Sequence, residues 1–237
     1  MHYLQDIDQV LCKTHTAEKS FEGRHPDVRY LGFSTQQAEH TNLSTDRGVD
    51  ISFLHVAGTS PLKGTTPVLQ SWLRHPEWPI LTLVADQVEL PNPIPGNIRP
   101  LSRVTNQEMQ ELWRTATFAV MPSEAEGFGQ ILIEAMVNGA VAITTDAPPM
   151  NELIRPERGY LVPYSSEKRC RLGKRYLVSD RALEDTIERI LTVGQDEWNT
   201  KTANAARWVA TNHEQFVQRV RQLLEEIQQR QQESLDK

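Results

Sequence analysis

Two glutamates, Glu126 and Glu134, stand eight residues apart around Gly127-Phe128-Gly129 in the stretch P-S-E-A-E-G-F-G-Q-I-L-I-E-A-M-V-N-G. The apolar run at 117–121 reads as a buried strand and 130–136 as a helix, so the glycines fall where strand turns into helix. Glycine lets the backbone approach a ligand closely, and the first free N–H groups of a helix make an anion site. Glu134 falls roughly one and a half turns inside the helix, while Glu126 stays in the loop. Two carboxylate acceptors spaced along a ligand, with a phosphate-binding helix end between them, suit a nucleotide-sugar. One carboxylate would take ribose hydroxyls, the other the sugar, and the amides the diphosphate. The same residues also fit a plain tight turn whose glutamates are favoured by the helix dipole.

A second loop, Ala57-Gly-Thr-Ser-Pro-Leu-Lys-Gly64, lies between an expected strand at 51–56 and an expected helix at 68–73. Small and hydroxyl-bearing residues such as Gly58, Thr59 and Ser60 expose backbone amides, and Lys63 offers a point charge for phosphate. A lysine in such a loop also fits simple solvation. The seven histidines show no metal-ligand spacing, and His55, at a strand end, reads as a satisfied core residue. No Gly-x-Gly-x-x-Gly follows the first strand with an acidic residue some way on, which argues against a dinucleotide-dependent dehydrogenase.

The Glu-Gly-Phe-Gly run, the second Glu eight positions after the first and the Ala-Met-x-x-Gly that follows resemble the donor-site signature of retaining glycosyltransferases of family 4, with the GT-B fold. The resemblance implies transfer of a hexose from a nucleotide-diphosphate-sugar to an acceptor hydroxyl with retention, without a metal or cofactor. It implies that Glu126 holds the sugar, that Glu134 lies at the ribose, that Gln130 is among the substrate-binding residues, and that Lys63 with the amides of Gly127, Phe128 and Gly129 stabilises the departing diphosphate. Backbone around Ser102, Arg103 and Val104 would bind the base. Glu126 and Lys63 are then the catalytic pair. Two departures stand out: Ala57, Gly58 and Thr59 occupy the region where relatives carry an Arg, and Pro148-Pro149 replaces a Gly-Gly before Glu152.

These residues need a scaffold. Strands alternating with helices across 48–195 predict an α/β, Rossmann-like, doubly wound parallel sheet, which the resemblance implies is one half of a GT-B fold. Ligands bind such sheets outside the carboxyl ends of the strands, so the loops holding Lys63, Ser102–Val104, Glu126–Gly129 and Asp146–Asn151 are expected to converge. Residues 1–47 read as a strand, a Thr14-capped helix, a strand at 28–33 and a polar linker. They resemble the end of a truncated N-terminal domain. Residues 196–237 read as one or two C-terminal helices with an apolar stripe at Phe216, Val220, Leu223, Leu224 and Ile227. In relatives such a helix crosses back onto the N-terminal domain. Here the expected occupants are a partner bearing an N-terminal domain or a second copy of the chain. An alternative function follows: a nucleotide-sugar-binding module or fragment whose acceptor half is elsewhere.

The apolar share of 38%, charged share of 24% and net charge of −6 describe a soluble globular chain and argue against nucleic acid as the partner. The first residues lack a signal-peptide pattern, and Cys12 and Cys170 form neither a metal nor a disulfide framework, so a cytoplasmic setting is expected, with peripheral membrane contact left open. Five basic residues, Lys168, Arg169, Arg171, Lys174 and Arg175, cluster at 167–175. They fit a solvated face, or a contact with anionic lipid or an acceptor phosphate. The acceptor itself, whether glycan, lipid or protein, has no signature.

Overall fold

The computed structural model describes residues 2–35, 50–86 and 88–235; the linker expected before residue 48, like the start of the next unit at 49, lies largely outside them. Its centre is a pair of strands, β6 (Phe118–Met121) and β7 (Val141–Thr145), buried at every position. Continuous apolar runs of this kind are what a parallel sheet covered on both faces requires. Around them the described residues form a six-stranded parallel sheet with β3 (Phe53–Gly58), β4 (Leu81–Ala85), β5 (Ile98–Leu101) and β8 (Gly159–Val162). The order is β5-β4-β3-β6-β7-β8, so the sequence direction reverses between β3 and β6. Pro100 sits within β5 at the sheet edge, where a missing N–H is tolerated.

Side chains alternate across the sheet with period two. Phe53, Phe118, Val120, Ile143 and Val162 pack with Val68, Leu69 and Trp72 of α2 (Thr65–Arg74) and with Leu183, Ile187 and Ile190 of α6 (Asp180–Thr192). Leu54, Ala119, Met121 and Ala142 face the other way. They pack with α4 (Gln130–Val137), with Trp113 of α3 (Asn106–Thr115), with α5 (Met150–Leu153) and with Ala205 and Val209 of α7 (Gln195–Leu235). Helices therefore cover both faces, as the doubly wound reading expects. The C-terminal extension is one helix of 41 residues rather than two. Among the described residues no helix is long and apolar enough to cross a membrane.

At the N-terminus, β1 (Val10–Cys12) and β2 (Val28–Tyr30) form a parallel pair joined through α1 (His15–Phe21), which Thr14 caps by accepting from the Ala17 amide. β2 ends three residues earlier than the sequence suggests. Beyond it the chain turns toward α7: the Leu31 carbonyl accepts from Arg219 Nε at 2.8 Å and the Phe33 carbonyl from Asn212 at 2.9 Å. Arg29 pairs with Glu226, and the Arg219 guanidinium lies 5.0 Å from the Tyr30 ring centroid. The C-terminal helix thus crosses back onto the N-terminal strands of the same chain, while Leu224 and Ile227 of its stripe stay exposed.

The basic cluster forms an antiparallel hairpin, β9 (Ser166–Cys170) with β10 (Gly173–Leu177). Arg171 occupies a left-handed conformation in its turn, φ 51°. Such turns usually carry Gly or Asn, and neither is present at that position, so the hairpin leaves no turn signal in the sequence.

Candidate active site

Loops at the carboxyl ends of β3 and β6 flank the point where strand order reverses, the usual place for a ligand in such sheets. The β3 loop ends in Gly64, which has φ 70° and opens α2. Its backbone meets the β6 loop directly: a Cβ there would lie 2.2 Å from the Pro122 carbonyl oxygen. The Leu62 carbonyl accepts from the Glu124 amide at 2.8 Å. On the far side, hydroxyls of Thr144 and Thr145 donate to the carbonyls of Met121 and Ser123 at 2.8 and 2.7 Å. Side chains of β7 thereby fix the β6 loop from beneath.

This frame brings Lys63 and Glu126 together. Lys63 Nζ donates to Glu126 Oε1 at 2.6 Å, and the Ser123 hydroxyl donates to the same oxygen at 2.7 Å. The side chain of Glu126 is 8% exposed and that of Lys63 20%. An ion pair so withdrawn from water interacts more strongly than one on the surface.

Two helices begin beside this pair, α2 at Gly64 and α4 at Gly129, and neither has a side-chain cap. By contrast α1, α3 and α6 are capped by Thr14, Thr105 and Ser179. The first amides of a helix lack internal partners, so the site holds two uncapped donor ends that favour an anion. Packing accounts for Gly129, where φ is 74° and a Cβ would come 2.6 Å from Leu153 Cδ1. Packing does not account for Gly127, where a Cβ would meet nothing within 4 Å.

Beneath Lys63, His55 is fully buried and reads as the sequence suggests. Its Nδ1 donates to the Val120 carbonyl at 2.6 Å, so the tautomer leaves Nε2 to accept from the Thr65 hydroxyl at 3.0 Å. Burial pushes its pKa down to about 4, with the Lys63 charge lowering it further against the opposing pull of the Val120 bond. The group is a neutral strut at the start of α2. In the unfolded chain it titrates near 6.5, so the unfolded state takes up the extra proton first. Native stability is then complete above about pH 6.5 and falls by roughly 3 kcal/mol as the pH drops through about 4. Urea midpoints across this window should show the decline, and His55→Asn should flatten it; equal slopes in both proteins would exclude this role.

The remaining expected site residues divide among separate hollows. Glu126 opens into a cavity of about 1110 Å³ shared with Pro148 and Pro149. Gly58, Thr59 and Ser60 line another of about 510 Å³ that also contains Glu124; Gly58 itself closes β3 rather than lying in the loop. Glu134 and Gln130, joined at 2.8 Å, face a third of about 330 Å³ with Phe128, Lys13 and Phe33. Arg103 and Val104 line none of the three. The Lys63 and Glu126 loops meet through their ion pair, and Glu126 shares its cavity with Pro148 and Pro149.

Several residues here escaped the sequence reading. Lys13 Nζ lies 3.9 Å from the Phe128 ring centroid and Phe33 meets the same ring edge-on at 4.8 Å, so the N-terminal unit covers the Gly127–Gly129 loop. Glu152 accepts from the amides of His15 and Thr16, each at 2.8 Å, which ties α1 to the end of the Pro148–Pro149 segment. Such contacts span 95 residues of chain or more, and no local pattern announces them. Only Ser123 had a signal, its place three residues before Glu126.

Residues 93–190 match the family described as glycosyl transferases group 1. No curated protein sequence matches the chain. Among solved structures, sucrose-phosphate synthase from Thermosynechococcus elongatus is similar at 19% identity, with a TM-score of 0.71 over 95% of this chain and 60% of that one. A glycosyltransferase from Rickettsia africae is similar at 12% identity, TM-score 0.73, over 92% and 63%. Anabaena HepE, in complex with UDP-glucose, is similar at 14% identity, TM-score 0.67, over 92% and 64%. The shared property is the fold. The chain spans less than two thirds of the length of each of these structures.

Proposed function

We propose that this chain is the donor side of a retaining glycosyltransferase of family 4, moving a hexose from a nucleotide-diphosphate-sugar to an acceptor hydroxyl. The observation that carries the reading is the Lys63–Glu126 pair set between two uncapped helix N-termini. In this reading the donor diphosphate lies at the helix ends, and Lys63 turns from Glu126 to the phosphate. Glu126, released, accepts from the sugar hydroxyls. Glu134, with Gln130, accepts from the ribose. As the bond from the anomeric carbon to the phosphate oxygen breaks, fixed amides and Lys63 stabilise the growing charge in a site already organised for it. The acceptor oxygen attacks from the face that the phosphate leaves, so no carboxylate nucleophile is required.

A nucleoside diphosphate should therefore bind this chain by itself. Isothermal titration with UDP, GDP and ADP tests this, with UDP first because the HepE structure holds UDP-glucose. Absence of heat from all of them at millimolar concentration would overturn the reading. Glu134→Gln should shrink the preference for ribose over 2′-deoxyribose, since amidation removes one acceptor from a pair of vicinal hydroxyls. A second reading is a nucleotide-sugar-binding module that works with an acceptor half elsewhere. Transfer by the purified chain alone would exclude it.

A further inference from the structure

The cavity that opens at Glu126 runs out between α1 and the β9–β10 hairpin. Lys19, Arg155, Lys168, Arg169 and Lys174 line it. The acids in the same wall do not balance these charges. Glu152 is committed to the α1 amides, and Glu167 takes Lys174 at 2.5 Å. Among the described residues Lys19, Arg155, Lys168 and Arg169 make no ion pair or side-chain hydrogen bond.

The hairpin register sharpens the imbalance. Arg169 stands directly across from Lys174, and Lys168 directly across from Arg175. Like charges in opposed positions destabilise a strand pair. Arg175 is drawn aside by Glu124, its Nε donating at 2.8 Å, and Lys174 by Glu167. That leaves Lys168 and Arg169 uncompensated on an exposed ribbon. Residues that break a local rule with no structural gain mark places shaped by something other than folding.

We infer that this groove is the acceptor subsite and that it takes an acceptor bearing a phosphate group, held by Lys168 and Arg169 with its hydroxyl toward Glu126. The inference rests on the donor reading given above. Phosphate fits better than carboxylate, because its charge of roughly −1.5 to −2 and its three acceptor oxygens can serve several separate cations at once. In the transfer the hydroxyl oxygen bonds to the anomeric carbon. The bond from that carbon to the donor phosphate oxygen breaks with its electron pair, and the hydroxyl proton passes to that oxygen.

The test is titration of the full chain, saturated with UDP, with inorganic phosphate. Phosphate should bind, and the double variant Lys168→Ser/Arg169→Ser should weaken it about tenfold or more, as for loss of two charge-assisted contacts. UDP affinity of that variant should stay unchanged, since both side chains are exposed and neither bonds Lys63 or Glu126. Phosphate binding that the double variant keeps, or no binding at all, overturns the inference. If UDP fails to bind the wild type, the donor reading falls separately. The phosphate titration is then run without UDP beside Lys63→Ala, which must leave it unaltered. Sedimentation with vesicles of equal parts phosphatidylcholine and phosphatidylglycerol distinguishes the sources. Capture of the wild type and not of the double variant assigns a lipid-borne phosphate, whereas phosphate binding without capture assigns a soluble acceptor. Capture that the variant keeps counts against the groove.

Discussion

Gly64→Ala should lower the free energy of unfolding by about 2–5 kcal/mol, the sum of a left-handed backbone penalty and of overpacking. The residue has φ 70°, and the new methyl would sit 2.2 Å from the Pro122 carbonyl oxygen and 2.9 Å from its carbon. Both neighbours are backbone, so no rotamer change relieves the overlap. Nor does the β6 loop yield easily, because Thr144 and Thr145 hold its carbonyls from below. Relief therefore means shifting the start of α2, which carries Lys63 away from Glu126. Against a typical domain stability of about 5–15 kcal/mol the loss is large. Urea denaturation measures it, and Gly127→Ala is the control, since a Cβ there meets nothing. A Gly64→Ala protein within about 1 kcal/mol of wild type would show that the two loops are not locked.

Lys63→Ala should reduce turnover by about 10²–10³-fold, the effect of removing one preorganised donor from a developing anion. Binding of a nucleoside diphosphate should weaken by about 1.5–3 kcal/mol, as for a lost charge-assisted contact, and binding of the bare nucleoside should barely change. Kinetics and titration on the same preparation separate the two effects. Equal losses for nucleoside and nucleoside diphosphate would mean that Lys63 serves the fold through Glu126 and not the phosphate. Because Glu126 would keep only the Ser123 hydroxyl among its recorded partners, urea midpoints belong in the same experiment.

What could be read from the sequence was what depends on near neighbours. The buried strands at Phe118–Met121 and Val141–Thr145 show themselves as unbroken apolar runs, and Thr105 shows its capping box through Glu108 three residues on. The Lys63 and Glu126 loops could be named because each follows a recognisable strand. Their meeting at 2.6 Å follows from the strand order, which periodicity alone does not give. The hairpin was missed since Arg171 takes a conformation that Gly or Asn would have advertised. The three hollows around Glu126, Glu134 and Gly58 were invisible for another reason. Their walls are side chains such as Lys13, Phe33 and Glu124, contributed by segments distant in sequence.

The paired state of Lys63 and Glu126 bears on selectivity. A stray anion that draws Lys63 away strands a carboxylate only 8% exposed, with the Ser123 hydroxyl as its one compensation among the recorded bonds. A neutral sugar that engages Glu126 leaves the ammonium equally bereft. Each half-ligand must bear the cost of parting two charges that are withdrawn from water. A molecule that carries both an anion and hydroxyls, joined by covalent bonds, satisfies the two groups in a single event. If the pair holds the donor as proposed, it thus favours the whole molecule over either fragment, which binds more weakly on its own.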